Sequence, residues 1–166
     1  PLAGFMLMQM GADVTVVGRP GASALPDELT PKDGALLSRG KRRVTLNLKN
    51  DEDKARALDM VAQSDGLIEG NRPGVMERLG LGPDVCGEYN PRLVYGRMKG
   101  WGQDGPLAQA AGHDMNYVAL TGLMSITEQP GHPPMLPPTV VGDAAGALGF
   151  AFGMVSALLG ARDKGQ

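Results

Sequence analysis

The sequence predicts an α/β fold, with a mainly parallel sheet carrying helices on both faces. Three observations lead there. Short β-branched or alternating runs, such as Val14-Thr15-Val16-Val17, recur along the chain. Segments of helical spacing stand between them, as in Glu52 to Gln63. Gly, Pro, Asn and Asp punctuate the junctions. Strands that alternate with helices pair in parallel, because the crossover helix must pack back onto the sheet. The expected sheet is Rossmann-like, and ligands of such sheets bind beyond the carboxyl ends of the strands.

In chain order, Phe5 to Met10 reads as the end of a helix stopped by Gly11. Val14 to Val17 is a buried strand bounded by Gly18 and Pro20. Gly21 to Ser38 is rich in turn residues and reads as a surface loop. Val44-Thr45-Leu46-Asn47-Leu48 alternates and is the second strand. Asn50 or Asp51 can cap a helix over Glu52 to Gln63, with Leu58, Val61 and Ala62 on its inner face. Gly66-Leu67-Ile68 is a third strand, and Gly74 to Leu79 a short helix ended by Gly80. Arg92 to Met98 is a fourth strand, and Met115 to Met124 is helical. A Pro-rich run, Pro130 to Pro138, leads to a long Gly/Ala-rich helix after Asp143. Ala144 to Ala161 holds no charged residue, which reaches membrane-span length. It is mostly Ala and Gly, so a buried helix is the expected reading.

The chain has 166 residues, enough for one domain with a core. Its 42% hydrophobic and 20% charged content suits a globular protein. A net charge of −2 speaks against a nucleic-acid partner, which needs a basic field. The single cysteine, Cys86, excludes an internal disulfide framework and suits a reducing, cytoplasmic setting. The opening Pro1-Leu2-Ala3-Gly4 carries no basic n-region or cleavage site, so no signal peptide is expected.

The chemistry-bearing candidates follow the strands. Arg19, Lys49, Arg72 and Lys99 each come just after one. On a parallel sheet they would share one edge, as a cationic rim for phosphates or as ordinary solvated charge. Neither a P-loop nor a G-x-G-x-x-G turn is present. His113, in Gly112-His113-Asp114-Met115-Asn116-Tyr117, opens a helix, where a neutral imidazole able to accept a proton fits the dipole. It can equally be incidental to a turn that Asp114 caps. Asp143 opens the least polar helix, as a cap or as an acid–base group. Gly142, Gly146, Gly149 and Gly153 have helical spacing that admits a closely packed backbone. His132 and Cys86 read as incidental, Cys86 in a polar turn without a matched His. No metal-ligand spacing occurs. One Trp, three Tyr and three Phe are too few for a base-stacking platform.

Several segments, in order, resemble CoA-transferase family III. Gly11-Ala12-Asp13-Val14 through Arg19-Pro20-Gly21 is similar to the family's GADVIKIERPG. Arg39 to Lys49 resembles RGKRSVTLDLK, and Arg72 to Gly80 resembles RPGVMERLGL. Asn90-Pro91-Arg92-Leu93-Val94-Tyr95 with Gly100 to Pro106 resembles NPRLVY followed by GFGQxGP. Gly112 to Tyr117 is similar to the GHDINY of the α-methylacyl-CoA racemase branch, where the transferases carry a GYD-like motif. Three departures stand out: a longer Arg19–Arg39 loop, Asn71 displaced by one position before Arg72, and Asp143-Ala144-Ala145-Gly146-Ala147 in place of DFGGG.

The resemblance implies a racemase acting on 2-methylacyl-CoA thioesters, with His113 and Asp143 as the catalytic pair. It implies CoA contacts from Arg19, from Leu46, Asn47, Leu48 and Lys49, and from Gly112, His113, Asp114, Met115, Asn116 and Tyr117. Arg72, Arg78 and Lys99 are further candidates for phosphate. Two alternatives stay open: CoA transfer with Asp114 as nucleophile, and a non-catalytic CoA-binding module. No prosthetic group is implied; coenzyme A enters as part of the substrate. Residues 1–166 are expected to be a partial large domain, truncated at both ends and lacking the second domain. An interlaced homodimer of the full-length protein, with no membrane partner, is implied as well.

Overall fold

The computed structural model describes residues 1–21 and 36–164. Helix α1 (Leu2–Gln9) leads through a turn at Gly11 into strand β1 (Thr15–Gly18), which pairs in parallel with β2 (Arg42–Thr45). Helix α2 (Asp51–Ala62) follows, capped by the Asn50 side chain, which accepts from the Asp53 N–H at 2.9 Å. Strand β3 (Gly66–Glu69) pairs in parallel with β4 (Val94–Arg97). Two helices make that crossover, α3 (Val75–Arg78) and α4 (Pro83–Tyr89). Then come α5 (Asp114–Leu120), α6 (Leu123–Ile126) and the long α7 (Val141–Lys164). The fold is α/β with short parallel strands, and hydrogen bonding groups the described strands as two pairs. Most of the expected 21–38 loop lies outside the described residues; Leu36–Ser38 closes it with a 3-10 turn.

Several details differ from the sequence reading. The second strand ends at Thr45 because Asn47 gives its N–H to the Asp53 carboxylate at 2.8 Å, which turns the chain out of the ladder. The inner face of α2 is Ala57, Leu58 and Val61, while Ala62, its last residue, is exposed. Gly122 takes a left-handed conformation (φ 77°) and splits the expected 115–124 helix into α5 and α6. Cys86 is not in a polar turn. It lies in α4, started by Gly82 and by Pro83 at the first helical position, and its side chain is fully buried.

One core joins Leu46, Ala57, Leu58, Val61, Met76, Leu81 and Cys86, packing α2, α3 and α4 together. A second joins Ala3 and Leu7 of α1 to Ala147, Ala151 and Met154 of α7. Helix α7 is therefore not the buried helix expected. Ala147, Ala151 and Met154, at i, i+4 and i+7, make the face that packs toward α1 and β4. Its opposite face leaves Leu148, Phe152 and Leu159 exposed. Val141–Arg162 is long and apolar enough to cross a membrane, with mean hydropathy 1.8, and 17% of it is buried here.

Candidate active site

Two helix starts build the site. At the first, His113 stands in extended conformation just before α5, and its N–H donates to the Asn116 side-chain oxygen at 2.9 Å. The side chain that reaches back is thus Asn116, not Asp114, as in the second half of a capping box. At the second start, Asp143 lies in the first turn of α7 rather than at its cap. A carboxylate there is stabilised by the helix dipole. The Asp143 N–H donates to Asp114 Oδ1 at 2.7 Å, joining the two starts across 29 residues.

His113, Asp114 and Asp143 line one open cleft of about 410 Å³, together with Met115, Leu136, Pro137, Thr139 and Val140. No Lys or Arg is in that lining. The His113 and Asp143 side chains are exposed, while Asp114 is half-buried. The Pro-rich segment read as a mere linker supplies Leu136 and Pro137, a contribution that only the tertiary arrangement reveals.

A second, more polar cleft of about 290 Å³ is lined by Arg72, Lys99, Gly100, Trp101, Gly112 and Tyr117, among others. The wall beside it is aromatic. Trp101 and Tyr117 meet edge to face, centroids 4.9 Å apart, and the Trp101 indole N–H reaches the Ala111 carbonyl at 3.4 Å. A Cβ on Gly100 would run into the Tyr117 ring, and one on Gly112 would stand 2.6 Å from Trp101 Nε1. Both positions are open to glycine alone unless the rings move. Burial, and next the nearby Asp143 carboxylate, push the Tyr117 phenol up from its ordinary value. Tyr117 thus lines the polar cleft while sensing a group of the apolar one.

The other predicted residues fall apart from these clefts. Arg19 is exposed directly after β1, and Lys49 is exposed past the end of β2. Leu46 is 1% exposed and belongs to the core, so only its main chain is available to a ligand. Leu48 packs partly on that core, and the Asn47 side chain accepts from the Lys49 N–H at 3.3 Å. Arg78 ends α3 and lines neither cleft. Of the expected cationic rim, then, Arg72 and Lys99 share a cleft, and Arg19 and Lys49 stand at the other strand pair. The Asn71 amide turns to Met76 Sδ at 3.3 Å.

One polar network is not visible in the sequence. Buried Glu69 on β3 lies 3.8 Å from Arg97 on β4. Arg97 also pairs with Glu77 of α3, donates to Gln103 at 2.7 Å and stacks over the Tyr95 ring at 5.5 Å. This ties the turn carrying Trp101 to the strands beneath it. The signal, in retrospect, is a carboxylate in a short apolar strand, which demands a partner when buried. Tyr95 donates its hydroxyl to the Leu81 carbonyl at 2.8 Å, and burial raises its phenol strongly. Cys86 Sγ contacts the Leu81 carbonyl at 3.4 Å and its thiol is pushed up by burial, which makes it a poor nucleophile.

All 166 residues match CoA-transferase family III. Human alpha-methylacyl-CoA racemase is 40% identical over 159 residues, 95% of this chain and 40% of that protein. Acetyl-CoA:oxalate CoA-transferase of Acetobacter aceti is 34% identical over 173 residues, 100% of this chain and 44% of the relative. Among solved structures, a CaiB/BaiF family protein from Brucella suis superimposes with a TM-score of 0.90 at 27% identity, covering 100% of this chain and 47% of that one. Rv3272 of Mycobacterium tuberculosis gives 0.83 at 34% identity, covering 96% and 45%. The chain spans about 40% of the length of the racemases it matches.

Proposed function

This chain belongs to CoA-transferase family III, and from that premise we propose that it carries the catalytic groups of an α-methylacyl-CoA racemase. The family is enzymatic and includes both racemases and CoA-transferases among the relatives. The observation that favours racemisation is the first cleft. It brings an imidazole and a carboxylate from two different helix starts to one mainly apolar space without a cation in its lining.

The α-hydrogen of a thioester is weakly acidic. One group removes it to give a planar enolate, and the other returns a proton on the opposite face. That exchange needs one group on each face that can give and take a proton, and these roles are assigned to His113 and Asp143. The enolate oxygen needs preorganised donors. The Asp143 and Ala144 N–H groups are already taken, by Asp114 Oδ1 and by the Val140 carbonyl. The first N–H groups of a helix lack intrahelical partners, so those of Asp114 and Met115 are the proposed donors. The CoA moiety is assigned to the second cleft, through Arg72 and Lys99, with Arg19 and the main chain of Leu46 to Lys49 as further contacts. Coenzyme A enters with the substrate, and side chains alone carry the protons.

Transfer of CoA through Asp114 is the competing reading, favoured by its place in the same cleft and by the transferase relatives. The cytoplasm and a homodimer of the full-length form are part of the proposal. The exposed Leu148, Phe152 and Leu159 of α7 support a partner, and its packing on α1, α5 and β4 supports a non-membrane setting.

The test is a reaction of the natural full-length protein with 2-methylacyl-CoA in heavy water. Deuterium should enter carbon 2 while the thioester stays intact. His113→Ala should lower inversion by about 10²–10⁴-fold. Absence of deuterium uptake, together with Asp114-dependent movement of CoA to a free acid, would replace this reading with the transferase.

A further inference from the structure

We propose that Asp114 is a positioning residue that sets the placement of Asp143 opposite His113, a role that rests on the racemase reading above. Its Oδ1 accepts the Asp143 N–H at 2.7 Å, a charge-assisted bond between elements 29 residues apart. That N–H lies in the first turn of α7, where donors lack intrahelical partners, so Asp114 supplies from α5 the cap that α7 does not make for itself. Asp114 also follows His113 directly in the chain. One carboxylate therefore links the two acid–base groups, covalently on one side and by a hydrogen bond on the other.

Gly142 gives independent support. A Cβ there would stand 3.0 Å from Asp114 Oδ1 and 3.2 Å from Val118 Cγ2. Contacts that tight force a neighbour to move, so the residue preceding Asp143 is small where the Asp114 carboxylate closes in. His113 is held differently, through Asn116, so losing the Asp114 carboxylate should disturb the Asp143 side of the site first. Racemisation needs its two groups on opposite faces of one carbon, and misplacement by about 1 Å can cost about 10²-fold.

Asparagine keeps an acceptor oxygen but cannot act as an acyl-accepting carboxylate; alanine removes both functions. The experiment uses the natural full-length protein with the (2R)- and (2S)-2-methylacyl-CoA isomers in heavy water. Exchange at carbon 2 is followed for each isomer separately. Asp143→Ala first identifies the isomer that Asp143 deprotonates. Asp114→Ala should slow exchange of that isomer by about 10²-fold in kcat with KM little changed, and slow the other by less than about tenfold. Asp114→Asn should rescue exchange to within about tenfold of wild type. Gly142→Ala, which leaves Asp114 in place and crowds its carboxylate, should reproduce the one-sided loss even where Asp114→Ala folds poorly. Exchange of both isomers at wild-type rate in Asp114→Ala overturns the proposal, as does an Asp114→Asn variant no better than alanine. A wild type that exchanges neither isomer, with CoA transfer abolished by Asp114→Asn, overturns the racemase reading itself and makes Asp114 the nucleophile.

Discussion

The two clefts differ by one residue in the chain and by everything else in character. Gly112 lines the polar cleft with Arg72 and Lys99; His113 lines the apolar one with Asp114 and Asp143. The residues that can move protons lie among Met115, Leu136, Pro137 and Val140, without a fixed cation in that lining. The cations share their cleft with the Trp101–Tyr117 pair. The difference shows how a thioester can be divided between two jobs. Under the proposed assignment, the anionic part of the ligand meets Arg72 and Lys99, while the reacting carbon lies in a cleft whose lining holds no Lys or Arg. It also shows why the 112–117 segment can serve both clefts: a turn followed at once by a helix sends successive side chains in different directions.

The largest expected effect comes from stripping the polar cleft of its charge. Hydrogen bonds to charged groups contribute about 1.5–3 kcal/mol each. Replacing both Arg72 and Lys99 with Ala should therefore weaken CoA binding by about 3–6 kcal/mol if the two act independently. Binding should also become less sensitive to salt. Calorimetry with CoA at two ionic strengths measures both. Unchanged affinity would separate the polar cleft from the ligand and leave Arg19 and Lys49 as the anchors.

A smaller effect should follow from breaking the wall. Gly100→Ala would drive a methyl group into the Tyr117 ring, so ring or turn must shift. Overpacking of this kind costs about 1–3 kcal/mol. Thermal melting should fall accordingly, and the Trp101 fluorescence should change as its edge-to-face partner moves. A variant with wild-type melting and an unaltered Trp101 spectrum would mean that the aromatic wall is compliant.

How much of this is legible beforehand depends on distance along the chain. Strand β1, the Asn50 cap and the α2 helix are local patterns, and the sequence reading places each to within a residue or two. Helix α4 escapes because Gly87 and a mixed polar sequence hide its buried Cys86, though Gly82-Pro83 is a start signal. Leu46 reads as part of the second strand, with a CoA contact implied by the resemblance, yet its side chain is buried in the core. His113 and Asp143 stand out as candidates through motif resemblance; their tie through Asp114 spans 29 residues and has no local trace. Of the Glu69–Arg97–Glu77 network only a carboxylate in a short apolar strand shows locally; which residues it and Arg97 pair with does not. The apolar cleft needs the Pro-rich run to fold back on α5, which spacing alone does not encode.

The smallest effect sharpens the comparison from the acid side. Glu77 pairs with Arg97, which in turn holds Gln103 in the turn carrying the polar cleft's Trp101. Its own backbone N–H, and next the Arg97 guanidinium, hold the Glu77 carboxyl below its ordinary value of 4.5. A carboxyl depressed in the folded state adds stability that is present above its unfolded pKa. That stability is lost as pH falls through the depressed folded value. Between pH 7 and 5 this pair should leave the melting temperature unchanged, and its loss should begin only below about 4.5. Glu77 is 45% exposed, so water screens the pair and the effect should be modest. Glu77→Gln should thus lower melting slightly at neutral pH and flatten the decline below pH 4.5. Arg97 would keep its contact to buried Glu69, so the strands should stay paired while the Gln103 turn loosens. CoA binding, assigned to the polar cleft, should then weaken more than deuterium exchange at saturating substrate, assigned to the apolar one. Equal losses in both would show that the two clefts respond as a single site.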